Sequence, residues 1–178
     1  MKLNIRGDKV EVTKAIKEYI EEKLAKLDKY FERPEDINAT VLIRVKNENQ
    51  TIEVTVPTSR FTIRAEESHN DLYAAIDLIV DKLERLIRKN KTKLSKHYKN
   101  VPAFEMNFEY EGIEEVEEDK DKIVKRKNID TKPMSEEEAI LQMQLLNHDF
   151  FAFKNIDEEC VSVLYLRKNG TYGILNVK

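Results

Sequence analysis

The chain has 178 residues, with 31 Lys and Arg, 34 Asp and Glu and a formal net charge of −3. This length fits one large domain or two small ones, and no apolar run approaches the ~20 residues that a membrane-spanning helix needs. The polar start of the sequence does not resemble a secretory signal, and the single Cys160 excludes an internal disulfide framework. We therefore expect a cytoplasmic protein that acts neither in nor on a membrane.

The charge is distributed unevenly along the chain. Residues 1–100 carry 21 Lys and Arg against 17 Asp and Glu, whereas residues 101–178 carry 10 against 17. The stretch from Glu105 to Asp121 contains nine acidic residues and one Lys, and it has too few apolar residues to order itself. The sequence therefore predicts two domains, at residues 1–99 and 123–178, joined by an acidic flexible linker at residues 100–122.

The first domain alternates apolar and polar side chains in four segments, a pattern typical of strands with one buried and one solvated face. The first segment is short, around Leu3 and Ile5. The apolar positions of the others are Ile37, Ala39, Val41, Ile43 and Val45, then Ile52, Val54 and Val56, then Phe61, Ile63 and Ala65.

Helical spacing of apolar residues predicts one helix between Val12 and Phe31 and a second between Leu72 and Ile87. Ser68-His69-Asn70-Asp71 resembles a capping box at the start of the second helix. The order β-α-β-β-β-α predicts a two-layer α+β domain of the double-stranded-RNA-binding type, with an extra leading strand.

The second helix carries a basic stripe. Its members recur every three or four residues and so share one face: Lys82, Arg85, Lys89, Lys93 and Lys96, flanked by Arg88 and Lys91. Lys23 and Lys26 of the first helix add to the stripe if the two helices lie side by side. A solvated face is the ordinary explanation of such a stripe, but this helix has acidic residues only before its midpoint. We therefore predict a surface that binds RNA or another polyanion through phosphates, by shape and not by base sequence.

No pattern in the sequence predicts catalysis. His69, His97 and His148 lack the neighbouring ligand spacing of a metal site, and there is neither a Gly-rich phosphate loop nor a Ser-centred nucleophile motif. Tyr73, beside Asp71 and Asp77, belongs either to a contact cluster or to helix packing. We expect a protein that is not an enzyme and has no cofactor, metal or small-molecule substrate.

The second domain is predicted to be a small β-α-β-β-β unit. The predicted elements are a strand at Ile123–Lys127, a helix that starts within residues 132–138 with Ser135 and Glu138 as a capping box, a strand with Phe150, Phe151 and Phe153, and a hairpin of residues 161–166 with 172–177. Ala139, Ile140, Met143 and Leu146 form the apolar stripe of the helix. Asn169-Gly170 predicts a two-residue turn in the hairpin.

Both faces of this small sheet are apolar. A two-residue turn puts Val163, Tyr165 and Ile174 on one face, and Leu164, Leu166, Leu175 and Val177 on the other. One helix covers only one face, and a module of this size buries little apolar area by itself. The Leu164 face is expected to meet the helix.

The other face is then a partner surface. A second copy of the chain is the simplest partner, and the alternative is cover by the linker or the first domain. The predicted dimer interface consists of Phe150, Phe151, Val161, Val163, Tyr165, Tyr172 and Ile174.

Two sets of motifs resemble one known family. The segments Phe61–Glu67, Asp71–Asp77 and Asp81–Arg85 are similar to the N-terminal domain of the ribosome hibernation-promoting factors. The C-terminal domain of the long form resembles Lys132-Pro-Met134, Glu138-Ala139, Gln142-Met143, His148–Phe151 and Tyr172-Gly173. Leu166 departs from the pattern, where a second basic residue before Arg167 is expected.

The resemblance implies translation regulation in stress and stationary phase. The N-terminal domain is expected to occupy the tRNA and mRNA channel of the small subunit and block translation, and the C-terminal domain to dimerise and join two ribosomes. The residues at rRNA-facing positions of the family are Lys23, Lys26, Lys82, Arg85, Lys89, Lys91 and Lys93. The alternative is a cytoplasmic regulator that binds structured RNA away from the ribosome.

Overall fold

The computed structural model describes residues 1–46, 49–58, 61–96 and 130–177, without the side chains of Lys46 and of residues 91–96. The chain divides into two compact units. The first unit contains the N-terminal strands and helices together with Leu141–His148. The second unit contains the C-terminal residues on either side of that segment, up to Ile140 and from Asp149 onward. The predicted linker and the predicted strand Ile123–Lys127 lie outside the described residues, so the predicted domain boundaries stay a prediction.

The N-terminal sheet has the strand order β1-β2-β3-β4. Its strands are β1 (Lys2–Asp8), β2 (Asn38–Lys46), β3 (Asn49–Pro57) and β4 (Thr62–His69). β1 pairs with β2 in parallel, and the other pairs are antiparallel. A parallel pair needs a crossover, which contains α1 (Lys14–Ala25), and α2 (Leu72–Lys96) follows β4. The predicted α+β class is confirmed, while the likeness to double-stranded-RNA-binding domains stays a prediction.

The core of this unit lies between the sheet and the two helices. The predicted apolar positions of β2, β3 and β4 are buried, except that Val45 is exposed where β2 pairs with Gln50 near the turn into β3. The helices contribute fully buried side chains from one face each, namely Ile20 and Leu24 from α1 and Ile76, Ile79 and Leu83 from α2. Burial of these side chains is the main favourable term in the folding of the unit.

The cap of α2 differs from the prediction. Ser68 and His69 are the last residues of β4, and the Ser68 and Thr51 hydroxyl oxygens are hydrogen-bonded across the sheet at 2.7 Å. Asp71 caps the helix, because its Oδ1 accepts from the backbone N–H of Tyr73 at 2.9 Å. The four-residue capping box was therefore wrong, although its last residue is the cap.

The C-terminal sheet has the strand order β5-β6-β7-β8. Its strands are β5 (Pro133–Met134), β6 (Phe150–Asn155), β7 (Cys160–Leu166) and β8 (Tyr172–Val177), and α3 (Glu136–Leu146) follows β5. β5 pairs with β6 in parallel, and the other pairs are antiparallel. Pro133 and Met134 thus form a strand, although they were expected to open the helix.

The start of α3 carries the predicted capping box. The Glu138 N–H donates to Ser135 Oγ at 3.3 Å, and the Ser135 N–H donates to Glu138 Oε2 at 2.9 Å. The single apolar stripe was too narrow a prediction. Leu141 and Leu145 are buried as well as Ala139, Met143 and Leu146, whereas Ile140 is half-buried.

The turn between β7 and β8 is one residue longer than predicted. The Arg167 N–H donates to the Thr171 carbonyl at 2.8 Å, so the loop consists of Lys168, Asn169 and Gly170. Gly170 has φ 81°, the left-handed conformation that a three-residue hairpin loop requires at its last position. This extra residue sets the register of the whole hairpin.

In the observed register Val163 pairs with Leu175 and Leu164 pairs with Ile174. A shift of one residue moves every side chain of a strand to the other face. The predicted faces of β8 were therefore wrong. Ile174 and Tyr172 lie on the face of Leu164, whereas Leu175 and Val177 lie on the face of Val163.

A buried carboxylate lies on the N-terminal sheet face that is opposite the helices. Glu53 of β3 accepts from Arg64 Nε at 2.8 Å and from Arg44 Nη2 at 3.3 Å. Burial alone would raise the pKa of Glu53, but hydrogen bonding and charge from Arg64, and then from Arg44, lower that pKa below its usual 4.5. The carboxylate therefore stays ionised between two arginines on neighbouring strands.

Because the pKa of Glu53 is lower in the folded state, its stabilisation is present above the unfolded pKa and is lost as pH falls through the folded value. We expect Glu53→Gln to lower the free energy of unfolding by ~2 kcal/mol at neutral pH, and the deficit to shrink in acid. Urea unfolding measured across this pH range tests it, with the exposed Glu35→Gln as control. A deficit that does not change with pH would contradict the assignment.

Candidate nucleic-acid interface and open sheet face

The first contact between the helices is a cluster of Tyr19, Lys23 and Asp77. The Tyr19 hydroxyl lies 3.1 and 3.2 Å from the two carboxylate oxygens of Asp77, and Lys23 Nζ lies 2.5 Å from Asp77 Oδ1. Lys23 Nζ also lies 4.8 Å from the centroid of the Tyr19 ring. The hydrogen bond from Lys23, with a smaller contribution from Tyr19, lowers the pKa of Asp77, and Asp77 in turn raises the pKa of Lys23.

The second contact repeats this chemistry further along α2. The hydroxyl of Tyr30, in the short 3₁₀ helix Asp28–Tyr30, donates to Glu84 Oε1 at 2.5 Å. Lys29 Nζ lies 3.6 Å from the same oxygen and 4.9 Å from the centroid of the Tyr30 ring. The hydrogen bond from Tyr30 is the main cause of the lowered pKa of Glu84. Both acidic side chains are therefore occupied by the contact between α1, the 3₁₀ helix and α2.

The predicted basic stripe is split between two flanks of α2. Lys82 Nζ lies 2.7 Å from Glu67 Oε1 and donates to the Glu66 carbonyl at 2.8 Å, so it faces β4. Lys23, by contrast, is bound to Asp77 on the side that faces α1. The structure therefore does not join Lys23 and Lys82 into one row.

Other predicted bases point outward. Lys26, Arg85 and Lys89 are exposed and have no ion-pair partner among the described residues. Arg88 is exposed, with Nη1 4.0 Å from Glu84 Oε1. Lys91, Lys93 and Lys96 belong to α2, but their side chains lie outside the described part of the chain. The outward-facing bases available for phosphates are thus Lys26, Arg85, Arg88 and Lys89.

Tyr73 is the residue whose role the sequence left open. Its ring meets the ring of Tyr19 edge to face, with centroids 4.8 Å apart and planes at 80°. It is nevertheless 42% exposed. The pair was missed in the sequence, although in each helix a Tyr precedes a charged partner by four residues: Tyr19 precedes Lys23, and Tyr73 precedes Asp77.

The C-terminal sheet has one covered and one open face. Phe153 and Leu164 are buried on the covered face, where Asn155 Nδ2 donates to Glu136 Oε1 at 3.3 Å and thereby holds the start of α3. On the open face, five large apolar side chains are between 37% and 67% exposed: Phe150, Val161, Tyr165, Leu175 and Val177. The strand pairings put these five on one face.

The predicted dimer-interface residues divide between the two faces. Phe150, Val161, Val163 and Tyr165 lie on the open face. Phe151, Tyr172 and Ile174 lie on the covered face, because of the register of β8 and because Phe151 alternates with Phe150 along β6. The predicted set therefore does not share one face, and it did not include Leu175 and Val177 of the open face. The interface itself stays a prediction.

Gly173 shapes the open face. It pairs with Tyr165 across β7 and β8, and a Cβ at this position would overlap the Cζ, Oη and Cε1 atoms of the Tyr165 ring. Absence of a side chain therefore lets the ring lie flat on the sheet. Tyr165 thus lies beside Phe150 toward one end of the open face.

Within the described ranges, no group of His, Cys, Asp and Glu side chains could hold a metal ion, and no helix is long and apolar enough to cross a membrane. His69 accepts from the Asp71 N–H through Nδ1 at 3.0 Å. His97 lies outside the described residues.

Comparison with known proteins identifies the family. The family model of "Sigma 54 modulation protein / S30EA ribosomal protein" matches residues 3–95. The chain belongs to this family. A second model, "Sigma 54 modulation/S30EA ribosomal protein C terminus", matches residues 118–174, so separate models match the N-terminal and the C-terminal parts of this S30EA-family chain.

Individual relatives agree with this assignment. A ribosome hibernation promotion factor of Lactococcus lactis subsp. cremoris (strain MG1363) is 41% identical over 184 residues, which cover 100% of both proteins. The resemblance to the hibernation-promoting factors, first indicated by the motifs, is therefore confirmed.

Two solved structures are also similar to the chain. The N-terminal domain of Thermus thermophilus Protein Y is 39% identical, with 49% of this chain and 93% of that chain covered and a TM-score of 0.44. A ribosomal subunit interface protein from Coxiella burnetii is 25% identical, with 52% and 99% covered and a TM-score of 0.47.

The contact between the helices of this S30EA-family chain predicts how Tyr→Phe substitutions affect its stability. Tyr30→Phe removes the donor to Glu84 and should lower the urea midpoint of unfolding, since the carboxylate loses a charge-assisted hydrogen bond. Tyr73→Phe is the matched control, because the Tyr73 hydroxyl has no partner among the described residues, and it should leave the midpoint unchanged. Equal midpoints for Tyr30→Phe and wild type would show that the hydroxyl contact is not stabilising.

Proposed function

We propose that this protein is a ribosome hibernation factor. Its N-terminal unit binds rRNA in the tRNA and mRNA channel of the small subunit and blocks translation, and its C-terminal unit forms a homodimer that pairs two ribosomes. The observation that carries the proposal is the division of binding chemistry between the units. One unit has outward-facing bases, and the other has an open apolar sheet face.

The N-terminal unit has the chemistry of a phosphate-binding surface. Arg85 and Lys89 project from α2, and Lys26 projects from the end of α1, each without an acidic partner among the described residues. Asp77 and Glu84 are engaged by Tyr and Lys side chains at the helix contact. Lys and Arg at such positions suit phosphates and carry no base preference. The choice of the small-subunit channel rests on the family resemblance.

The C-terminal unit has the chemistry of a two-fold interface. An open patch of five large apolar side chains in a small unit calls for a partner, and a two-fold axis presents the same patch on both sides. Tyr165, which lies over Gly173 beside Phe150, gives this patch an aromatic side chain of the kind that is enriched among interface hot spots. The exposed Lys154 of β6 lies beside the patch as part of a polar rim.

The competing function is regulation of structured RNA away from the ribosome. Sucrose-gradient profiles of bacterial ribosomes with and without the protein distinguish the two. A hibernation factor is expected to co-sediment with small subunits and to convert single ribosomes into pairs. Binding of RNA without either effect would favour the competing function.

The salt dependence of small-subunit binding tests the basic surface. Each phosphate neutralised contributes roughly 0.7 to 0.9 to the slope of log K against log salt. Arg85→Gln with Lys89→Gln should therefore weaken binding and reduce the slope by roughly 1.5. The measurement is a filter-binding or sedimentation titration at several salt concentrations.

The matched control for this test is Arg167→Gln with Lys168→Gln. This variant removes the same charge from the exposed loop between β7 and β8 and should leave the slope unchanged. If both double variants reduce the slope equally, net charge and not a local surface governs binding.

The open face is tested by Leu175→Asp in the full-length protein. Leu175 is 58% exposed on the open face, so the substitution is tolerated in one copy but buries an unpaired charge from each copy in a two-fold interface. We expect a monomer by light scattering, normal binding to single subunits and no ribosome pairs. Leu166→Asp is the control, since Leu166 is 43% exposed but lies on the other face of the same sheet.

Leu166→Asp should remain dimeric. A dimeric Leu175→Asp variant together with a monomeric Leu166→Asp variant would move the interface to the other face. A monomeric wild-type protein would contradict the dimer itself.

A further inference from the structure

The helix contact presents one aromatic ring to solvent. Tyr73 is 42% exposed, whereas the Tyr19 and Tyr30 hydroxyls are bonded to Asp77 and Glu84. The Tyr73 hydroxyl has no hydrogen-bond partner among the described residues. Its ring and its hydroxyl are therefore both available for a ligand.

The ring is held in place before any ligand arrives. Tyr19 supports it edge to face at 4.8 Å, and Tyr19 is itself fixed by its hydrogen bond to Asp77 and by the ammonium of Lys23. The backbone of Tyr73 is held by the Asp71 cap. A ligand that stacks on Tyr73 therefore meets a preorganised surface and loses little side-chain entropy on binding.

A cation for a phosphate is provided by α1. The charge of Asp77 is compensated by Lys23 at 2.5 Å, and the carboxylate of Asp71 accepts from the Tyr73 N–H as the cap of α2. Lys26 is exposed and close enough to help to lower the pKa of Asp77. A nucleotide that stacks here meets a neutral aromatic face for its base and a cation for its phosphate.

We propose that Tyr73 is a stacking platform for an unpaired RNA base, and that Lys26 binds a neighbouring phosphate. The inference rests on the proposed function, because the RNA is the one held by the bases of α2. Stacking on Tyr73 would add a contact with a base to the contacts with phosphates, and it would lie on a different flank of α2 from Lys82. Tyr73 and Lys82 are nine residues apart and so lie on roughly opposite sides of an α-helix with 3.6 residues per turn.

Stacking and phosphate binding leave different signatures. Base–aromatic stacking releases no counterions, and its loss corresponds to a roughly 5- to 150-fold weaker affinity per base. Full-length Tyr73→Leu should therefore bind small ribosomal subunits that much more weakly with an unchanged salt slope. Tyr73→Phe keeps the ring and should bind within a few-fold of wild type.

A direct readout uses a single-stranded RNA oligonucleotide that contains 2-aminopurine, whose fluorescence is quenched on stacking. Wild type and Tyr73→Phe should quench it, and Tyr73→Leu should not. Urea unfolding of the variants separates loss of stacking from loss of fold. If Tyr73→Leu is unstable, the absence of quenching by wild type at every probe position overturns the proposal.

The outcomes separate this inference from the proposed function. Subunit binding by Tyr73→Leu at wild-type affinity overturns the stacking platform while salt-dependent binding still supports the hibernation factor. If wild type fails to bind subunits, the proposed function fails, and the oligonucleotide experiment alone decides the role of Tyr73. A reduced salt slope in Tyr73→Leu would also overturn the inference, since it would mean that the basic surface had moved.

Discussion

Hydrogen bonds from Tyr19 and Tyr30 to acidic residues of α2 hold the helical layer of the N-terminal unit together. Each bond joins segments more than 50 residues apart in sequence, and each carboxylate is also paired with a lysine. Asp77 and Glu84 of α2 are thus turned toward the contact. Because they do not neutralise Arg85 and Lys89, positive potential remains on the outer surface of the layer.

The sheet that packs against these helices contains a buried charge. Glu53 is a charge inside the protein, and two arginines from neighbouring strands keep it ionised. A buried charge without partners would be costly. Glu53 is therefore paired where it is buried, whereas Lys26, Arg85 and Lys89 meet solvent without an ion-pair partner among the described residues.

In the C-terminal unit the controlling constraint is register. The loop at Lys168–Gly170 fixes which side chains of β8 join those of β7, and so decides which face is open. Ile174 completes the covered face with Leu164. Leu175 and Val177 complete the open face with Val161 and Tyr165, and Gly173 gives the Tyr165 ring its place. The two units thus present different surfaces, one with outward-facing bases and one with an open apolar sheet face.

Periodicity along the chain was enough to predict the α+β class, the element order of the N-terminal unit, the buried positions of β2 to β4, the capping box of Ser135 and Glu138, and the basic character of α2. These features depend on residues near one another in sequence, as does the motif resemblance that the family match confirmed. The sequence left the role of Tyr73 open, and the structure shows that its ring packs on Tyr19 and is also exposed.

Only the tertiary structure decided which charged residues pair and which side chains share a face of the C-terminal sheet. Lys82 bonds to Glu67 and Lys23 to Asp77 because strand and helix packing brings distant residues within 3 Å. Asn169-Gly170 fits a two- or a three-residue loop equally well. The choice depends on how whole strands pair and on which face α3 covers, and a local turn motif contains no information about either.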